Sequence, residues 1–358
     1  MGWWRSRRSS SAVTARTAAS RVADGQRRGD NRHMDRKRVF SGIQPTGDFH
    51  VGSYVGALKN WVALQEDYET IYCVVDLHAM TLPYQAADLR EGRHESARML
   101  LAVGVDPERS LIYYQSEVPQ HVELSWILGT LAGLGQLERM TQFKEKADRA
   151  KQNLGIFAYP VLQAADILVH KAHAVPVGDD QAQHLELTRD LAQRFNTRFG
   201  EEFPLPETIT PKIGARIMSL TDPTSKMSKS DPSDRSRILI KDTHDQIAKK
   251  VKAAVTDTGT GVDYDWEAKP GISNLLELFS VLADRPIAEL VSEFASSGYG
   301  VFKAAAAEAI ADGLAPIREA YESLDDAEVA DVMARGAATA RDRAETAMKT
   351  VREKVGIV

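Results

Sequence analysis

From Arg38 onward the chain alternates short runs of β-branched and aromatic residues with longer stretches whose apolar positions recur every three or four residues. The short runs predict strands at Arg38 to Ser41, Thr70 to Asp76, Ser110 to Gln115 and Ala174 to Val177. Helical periodicity fills the intervals at Val51 to Glu66, Ala87 to Val103, Pro119 to Leu131, Ala158 to Val169 and Gln181 to Asn196. Each interval is long enough for a crossover, so the pattern predicts an α/β fold with a Rossmann-like parallel sheet. After about Ile240 strand signals vanish. Helices are expected near Asp242 to Ala254, Ile272 to Leu282, Ile287 to Phe294, Val301 to Leu324 and Ala327 to Lys354, a separate C-terminal helical domain. Thr221 to Ser236, crowded with Pro, Ser, Thr, Asp and Lys, reads as an exposed loop between the two.

The expected organisation is an extension over 1–34, a catalytic domain over 35–220, a mobile loop region over 221–240 and a helical domain over 241–358. The extension carries eight Arg, no Lys and two Asp (Asp24, Asp30), with no apolar period, and reads as disordered. Such Arg- and Ser-rich leaders occur as organellar transit peptides; Met34 offers an alternative start, and we read the leader as an extension without function. The whole chain of 358 residues has a net charge of −5 despite this basic leader, so the folded part is acidic and any nucleic-acid contact must be local. With 43% hydrophobic and 27% charged residues, a buried core is expected and disorder throughout is excluded. No apolar run approaches the roughly 20 residues that span a bilayer. A single cysteine, Cys73, lies in the apolar run Ile71 to Val75, which points to an inert thiol, a reducing compartment and a cytoplasmic protein.

Two segments carry candidate chemistry. Ser41 to Ser53 joins the first strand to the first long helix, with Gly47 and Gly52 for tight turning and a helix start near His50-Val51-Gly52-Ser53. Free amides and the positive end of the helix dipole suit a phosphate; His50 can donate to an oxyanion, and Gln44 can hold an adenylate edge. A plain glycine turn bearing a surface His is the alternative. In the second segment, Lys226-Met227-Ser228-Lys229-Ser230, two lysines in a Pro-flanked loop can swing onto pyrophosphate. His170, His173 and His184 read as structural, and the His170-x-x-His173 pair lacks further metal ligands.

Together the two strings resemble the paired signatures of class I aminoacyl-tRNA synthetases. The segments Phe40 to Gly47, Glu138 to Lys146, Tyr159 to Leu168, Val175 to His184 and Gly214 to Leu220 narrow the resemblance to the bacterial tryptophanyl-tRNA synthetases. Gly271 to Leu276 and Gly298 to Lys303 extend it through the helical part. The resemblance implies activation of L-tryptophan by ATP with Mg2+ carried on the triphosphate, transfer to tRNA(Trp), a homodimer, anticodon reading by the helical domain, and no protein metal site. It assigns Gln44, Pro45, Thr46, Gly52, Ser53, Gly178, Asp179, Asp180, Ile217 and Lys226 through Met227, Ser228, Lys229 and Ser230 to ATP, with His50, Lys146, Lys226 and Lys229 acting on the phosphates. It assigns Asp166 as the acceptor for the indole N–H, Phe40, Val75, His78, Tyr159, Gln163, Val175 and Val177 to the pocket, and Gln181 with Tyr159 to the amino or carboxylate group. An Asp in an apolar helix is costly without a partner; the indole would be one, a neighbouring Arg or Lys the alternative. Ser53 stands where the family usually has His or Asn, Gln163 where some members have Met, Leu77 where many have Gln, and Asp179 where many have Glu. Two rivals remain: a tyrosine-specific synthetase, and a catalytically silent paralogue that senses tryptophan or RNA.

Overall fold

The computed structural model describes residues 36–140, 153–176, 178, 182–209, 217–229 and 231–358. Five parallel strands, β1 (Arg38–Ile43), β2 (Glu69–Val74), β3 (Ser110–Tyr114), β4 (Ala174–Pro176) and β5 (Glu207–Ile209), form one sheet in the order β3-β2-β1-β4-β5. Four of them fall where the apolar runs predict. β5 is absent from that reading, because three residues behind a Pro-flanked turn, all at least partly exposed, give no apolar run. The order reverses at β1, where the chain leaves toward β2 on one side and β4 lies on the other. In open α/β sheets such a switch point opens a crevice at the strand C-termini, and both candidate segments begin there.

Helix α1 runs as Val51–Ser53, a π-helical turn Tyr54–Leu58 and Lys59–Leu64. It is followed by α2 (Asp76–Ala79), α3 (Ala86–Ala102), α4 (Gln120–Gly129), α5 (Leu134–Glu138), α6 (Leu154–Val169) and α7 (Ala182–Phe199). Helix α6 begins four residues before the expected Ala158. Asn153 caps it, its side chain accepting from Ile156 N at 3.0 Å, and Pro160 is carried inside the helix rather than opening it. The helical half consists of α8 (His244–Ala253), α9 (Pro270–Ala283), α10 (Ile287–Phe294), α11 (Tyr299–Ser323) and α12 (Asp326–Val355), each close to its predicted span.

Strand β2 is buried on both faces, as a central parallel strand must be. Tyr72 and Val74 join one hydrophobic cluster, Ile71 and Cys73 the other. The first cluster continues from α1 and α3 into α8, α9 and α11, so sheet and helical half share a core. The second packs α4, α6 and α7 beneath the sheet and recruits Ala337, Ala340, Ala344, Met348 and Val351 of α12. Helix α12 thereby crosses β3 and covers the sheet edge, which answers the exposure of an unpaired strand. Its approach is set by Gly336, where a Cβ would stand 1.7 Å from Ile112 O.

Gly336→Ala should cost about 2–3 kcal/mol in chemical denaturation, since backbone rather than a pliable side chain must move. Gly300→Ala, in a helix with nothing within 4 Å of the added methyl, should be neutral or stabilising by up to about 1 kcal/mol. Equal effects at the two positions would contradict this account of the α12 contact.

Candidate active site

The turn after β1 and the lysine loop are stitched together by backbone. Val51 N donates to Ile238 O at 2.8 Å and Ile240 N to Phe49 O at 2.9 Å, so the segment after the loop runs beside the helix start. The loop stem is a narrow ladder: Ser219 N to Ser225 O at 2.8 Å and Met227 N to Ile217 O at 3.1 Å. Asn274 of α9, fully buried, clamps that stem, accepting from Met218 N at 2.8 Å and donating to Met218 O at 2.9 Å. Composition alone predicts solvent exposure throughout Thr221 to Ser236. The structure corrects this: Met227 is 2% and Ser236 0% exposed, anchoring the loop in the shared core while Lys226 stays exposed.

His50 is the N-cap of α1, its Nδ1 accepting from Ser53 N at 3.2 Å. A Cβ at Gly52 would come within 3.0 Å of that nitrogen, so glycine is what lets the imidazole fold under the helix start. Ile217 packs against the same glycine. Lys229 Nζ donates to Thr46 O at 2.8 Å and lies 4.3 Å from the Phe49 ring centroid. Gly47, at φ +65, turns the chain beneath the Lys229 stem, and Pro45 is buried while Gln44 and Thr46 are exposed. Burial, then the positive charges of Lys229, Arg237 and Lys226, lower the His50 pKa to about 4. Burial lowers Lys229 to about 8, partly opposed by Asp48. The helix start is thus surrounded by cations, which suits an anionic ligand.

Beside the turn lies a cavity of about 490 Å³. Phe40, Gln44, Val75, His78, Tyr159, Gln163, Asp166 and Val175, all expected at the site, line it; Ser41, Gly42, Thr81, Leu82, Ile167 and Pro176 join them without having been singled out. Asn153 ties the start of α6 to this wall by donating to Thr81 O at 2.9 Å. Tyr159 Oη and His184 Nε2 are 2.7 Å apart, so His184 supports the pocket from outside. Lys146, Val177, Asp179, Asp180, Gln181, Ser230 and the segments 141–146 and 214–216 lie outside the described residues; Gly178 is exposed.

Asp166 is not left waiting for a ligand, nor is its partner an Arg or Lys. It is 1% exposed, with His78 Nε2 2.7 Å from Oδ2 and Gln115 Nε2 donating to Oδ1 at 2.7 Å. His121 Nδ1 also lies 2.7 Å from Oδ1, a short contact too bent for a good hydrogen bond. Gln115 is oriented by accepting Leu77 N at 3.1 Å. Burial pushes the Asp166 carboxyl up, but the contacts with His121 and His78 outweigh it and hold the pKa below the usual carboxylate range. An ionised carboxylate offers about four lone-pair sites, so two hydrogen bonds and the bent His121 contact leave room for a further donor. Gln115, His121 and Asn274 escaped the sequence reading; a buried His opening an apolar helix after Pro119 was the available signal for His121. His170 and His173 are structural as expected: Tyr113 Oη is 2.7 Å from His170 Nε2, and Arg38 N donates to His173 Nδ1 at 3.1 Å.

Residues 32–315 match the family described as tRNA synthetases class I (W and Y). The tryptophan–tRNA ligase of Caldanaerobacter subterraneus subsp. tengcongensis is 48% identical over 323 residues, 90% of this chain and 99% of the relative. Tryptophan–tRNA ligase 2 of Streptomyces avermitilis is 50% identical over 332 residues, 90% of this chain and 98% of the relative. Among solved structures, tryptophanyl-tRNA synthetase from Mycoplasma pneumoniae superposes with a TM-score of 0.81 at 34% identity, covering 89% of this chain and 98% of its own. The Campylobacter jejuni synthetase, solved in complex with ADP and tryptophan, gives 0.78 at 33% identity, covering 89% and 99%. The chain therefore belongs to the class I tRNA synthetases for tryptophan and tyrosine, among the bacterial tryptophanyl-tRNA synthetases.

Proposed function

We infer that the chain is a tryptophan–tRNA ligase, which activates L-tryptophan with ATP to the adenylate and pyrophosphate and then esterifies the 3′ end of tRNA(Trp). The observation that carries this reading is the convergence of two signature strings, joined at Lys229 and Thr46, beside a cavity that ends on the buried Asp166. We assign Asp166 as acceptor of the indole N–H, using its remaining lone pair, with Phe40, Val75, His78, Tyr159, Gln163 and Val175 around the ring and Val177 and Gln181 completing the amino-acid site. A tyrosine phenol, which both donates and accepts, is matched less well by an acceptor-only group.

We assign the triphosphate to the α1 start, to Lys226, Lys229 and Lys146, and to the amides of the loop; the ribose goes to Asp180, with Gly178 and Asp179 beside it. The magnesium ion enters on the triphosphate as part of the substrate. The tryptophan carboxylate attacks the α-phosphate in line and pyrophosphate leaves. No enzyme nucleophile is needed, and the work is alignment and charge stabilisation. With its pKa near 4, His50 is neutral at pH 7; because Nδ1 accepts from Ser53, the proton sits on Nε2, available to an oxyanion. Lys229 must leave Thr46 O to reach a phosphate, so nucleotide binding exchanges one hydrogen bond for a charge-assisted one.

The helical half is assigned to the anticodon. A homodimer is supported by Val122 and Trp126, one turn apart on α4 and 53% and 79% exposed, with Leu134 and Leu154 also outside. We place the activity in the cytoplasm. Among the described residues no helix is long and apolar enough to cross a membrane.

ATP–pyrophosphate exchange should depend on tryptophan and not on tyrosine; tyrosine-driven exchange, or tryptophan binding without turnover, would overturn the assignment. Lys229→Ala should lower adenylate formation about a hundredfold while leaving tryptophan affinity within a few-fold; exchange near the wild-type rate would remove this role. Because the His50 pKa falls from 6.5 unfolded to about 4 folded, the unfolded chain binds the extra proton between those values. Stability is therefore full above pH 6.5 and declines as pH drops toward 4. In denaturation against pH, His50→Gln should show a shallower decline over that window, and an unchanged slope would contradict the assignment.

A further inference from the structure

Behind Asp166, on the side away from the cavity, runs a relay of fully buried polar side chains that the reaction scheme does not use. His121 Nδ1 is 2.7 Å from Asp166 Oδ1, Tyr113 Oη is 2.9 Å from His121 Nε2, and His170 Nε2 is 2.7 Å from the same hydroxyl. All three side chains are 0% exposed, and none lines the cavity. The Tyr113 and His121 rings stack at 5.8 Å with 26° between planes, so the relay is braced by packing as well as by hydrogen bonds. Burying this many polar groups is costly unless each finds a partner, and apolar replacements would fill the same space more cheaply.

The direction of the relay follows from its end. An ionised Asp166 can only accept, so His121 must turn an Nδ1–H toward it. In the neutral ring, Nε2 then accepts from the Tyr113 hydroxyl, which in turn accepts from His170 Nε2–H. One tautomer of His121 is thereby selected by Tyr113, and that tautomer turns its N–H toward Oδ1 in a close but bent 2.7 Å contact. Together with Gln115 on the same oxygen, it occupies Oδ1 and keeps the carboxylate from rotating away from His78 and the cavity wall.

We propose that His121, held in its tautomer by Tyr113 and His170, is a positioning residue for tryptophan selection: it fixes Asp166 as an oriented acceptor for the indole N–H without touching the substrate. This rests on the assignment of Asp166 as that acceptor. It implies that part of the discrimination for an indole is set one layer behind the pocket, in a cluster of His and Tyr that pocket contacts alone would not reveal.

The test compares L-tryptophan with L-3-(1-benzothiophen-3-yl)alanine, in which sulfur replaces the indole N–H, in ATP–pyrophosphate exchange by the full-length enzyme. Wild type should favour tryptophan by about ten- to hundredfold in kcat/KM, the worth of one hydrogen bond to a charged group. His121→Leu should shrink that preference toward unity, chiefly through a higher KM for tryptophan, with the analogue and the KM for ATP little changed. His121→Asn, whose amide nitrogen reaches near the Nδ1 position, should restore most of it. Tyr113→Phe, which removes one oxygen and keeps the packing, should move the ratio the same way by a smaller factor, and it decides the matter should His121→Leu fail to fold. A ratio unchanged from wild type in folded His121→Leu, or in Tyr113→Phe where the leucine variant does not fold, overturns the proposal and leaves the Asp166 assignment standing. A wild-type ratio near one overturns that assignment and this proposal with it.

Discussion

A carboxylate held at 1% exposure must be either neutral or surrounded by donors, and Asp166 is surrounded. Its polar contacts come from three different elements: His78 from α2, Gln115 from the turn after β3, and His121, in a close but bent contact, from α4. Meeting on one side chain of α6, they require β2 and β3 to end at the same level and α4 and α6 to lie together under the sheet. Arg93 helps fix that level. It contacts Asp76 at 2.9 Å and lies over Tyr114 at 4.1 Å, while Asp76 takes Ser116 N at 2.9 Å across the strand ends. The electrostatic need of one buried acid thus constrains the geometry of a whole wall of the cavity.

The other wall is organised by backbone rather than by charge. The helix start at His50 and the strand-like segment through Ile238 and Ile240 exchange main-chain hydrogen bonds, and Met227 anchors the lysine loop in the core. Asn274 reaches from α9 to both polar groups of Met218, so the helical half grips the loop stem directly. Lys226 sits in the ladder of that stem, between Ser225 and Met227 and opposite Met218, and Lys229 follows just beyond it, held to Thr46 O.

Short apolar runs and period-3.6 patterns made four strands and every helix of the C-terminal half legible, since those elements bury both faces or one stripe in the shared cores. Strand β5 was not legible, because an edge strand of three residues, two exposed and one half-buried, buries too little to leave a pattern. The start of α6 was placed four residues late, at Ala158, and Asn153 as cap shows the helix beginning at Leu154. At the site, residues with a distinctive local string were readable: the glycines and His50, the Lys-Met-Ser-Lys-Ser run, and Asp166. Gln115, His121, Tyr113 and Asn274 were not, because each acts through a contact across at least 45 residues or through a network whose other members are equally ordinary in sequence. The expectation that Asp166 needs a partner was sound in its cost argument, but the chain itself meets that cost through His78 and Gln115, so burial alone does not argue for a ligand there.

The central claim is that the cavity ends on an acceptor for an indole N–H. NMR of bound L-tryptophan labelled with 15N at the indole nitrogen tests it most directly. The claim predicts an indole proton shifted downfield and protected from exchange in the wild-type complex, with both effects lost in Asp166→Asn. An indole proton that keeps its free-solution shift and exchange rate on binding would contradict it.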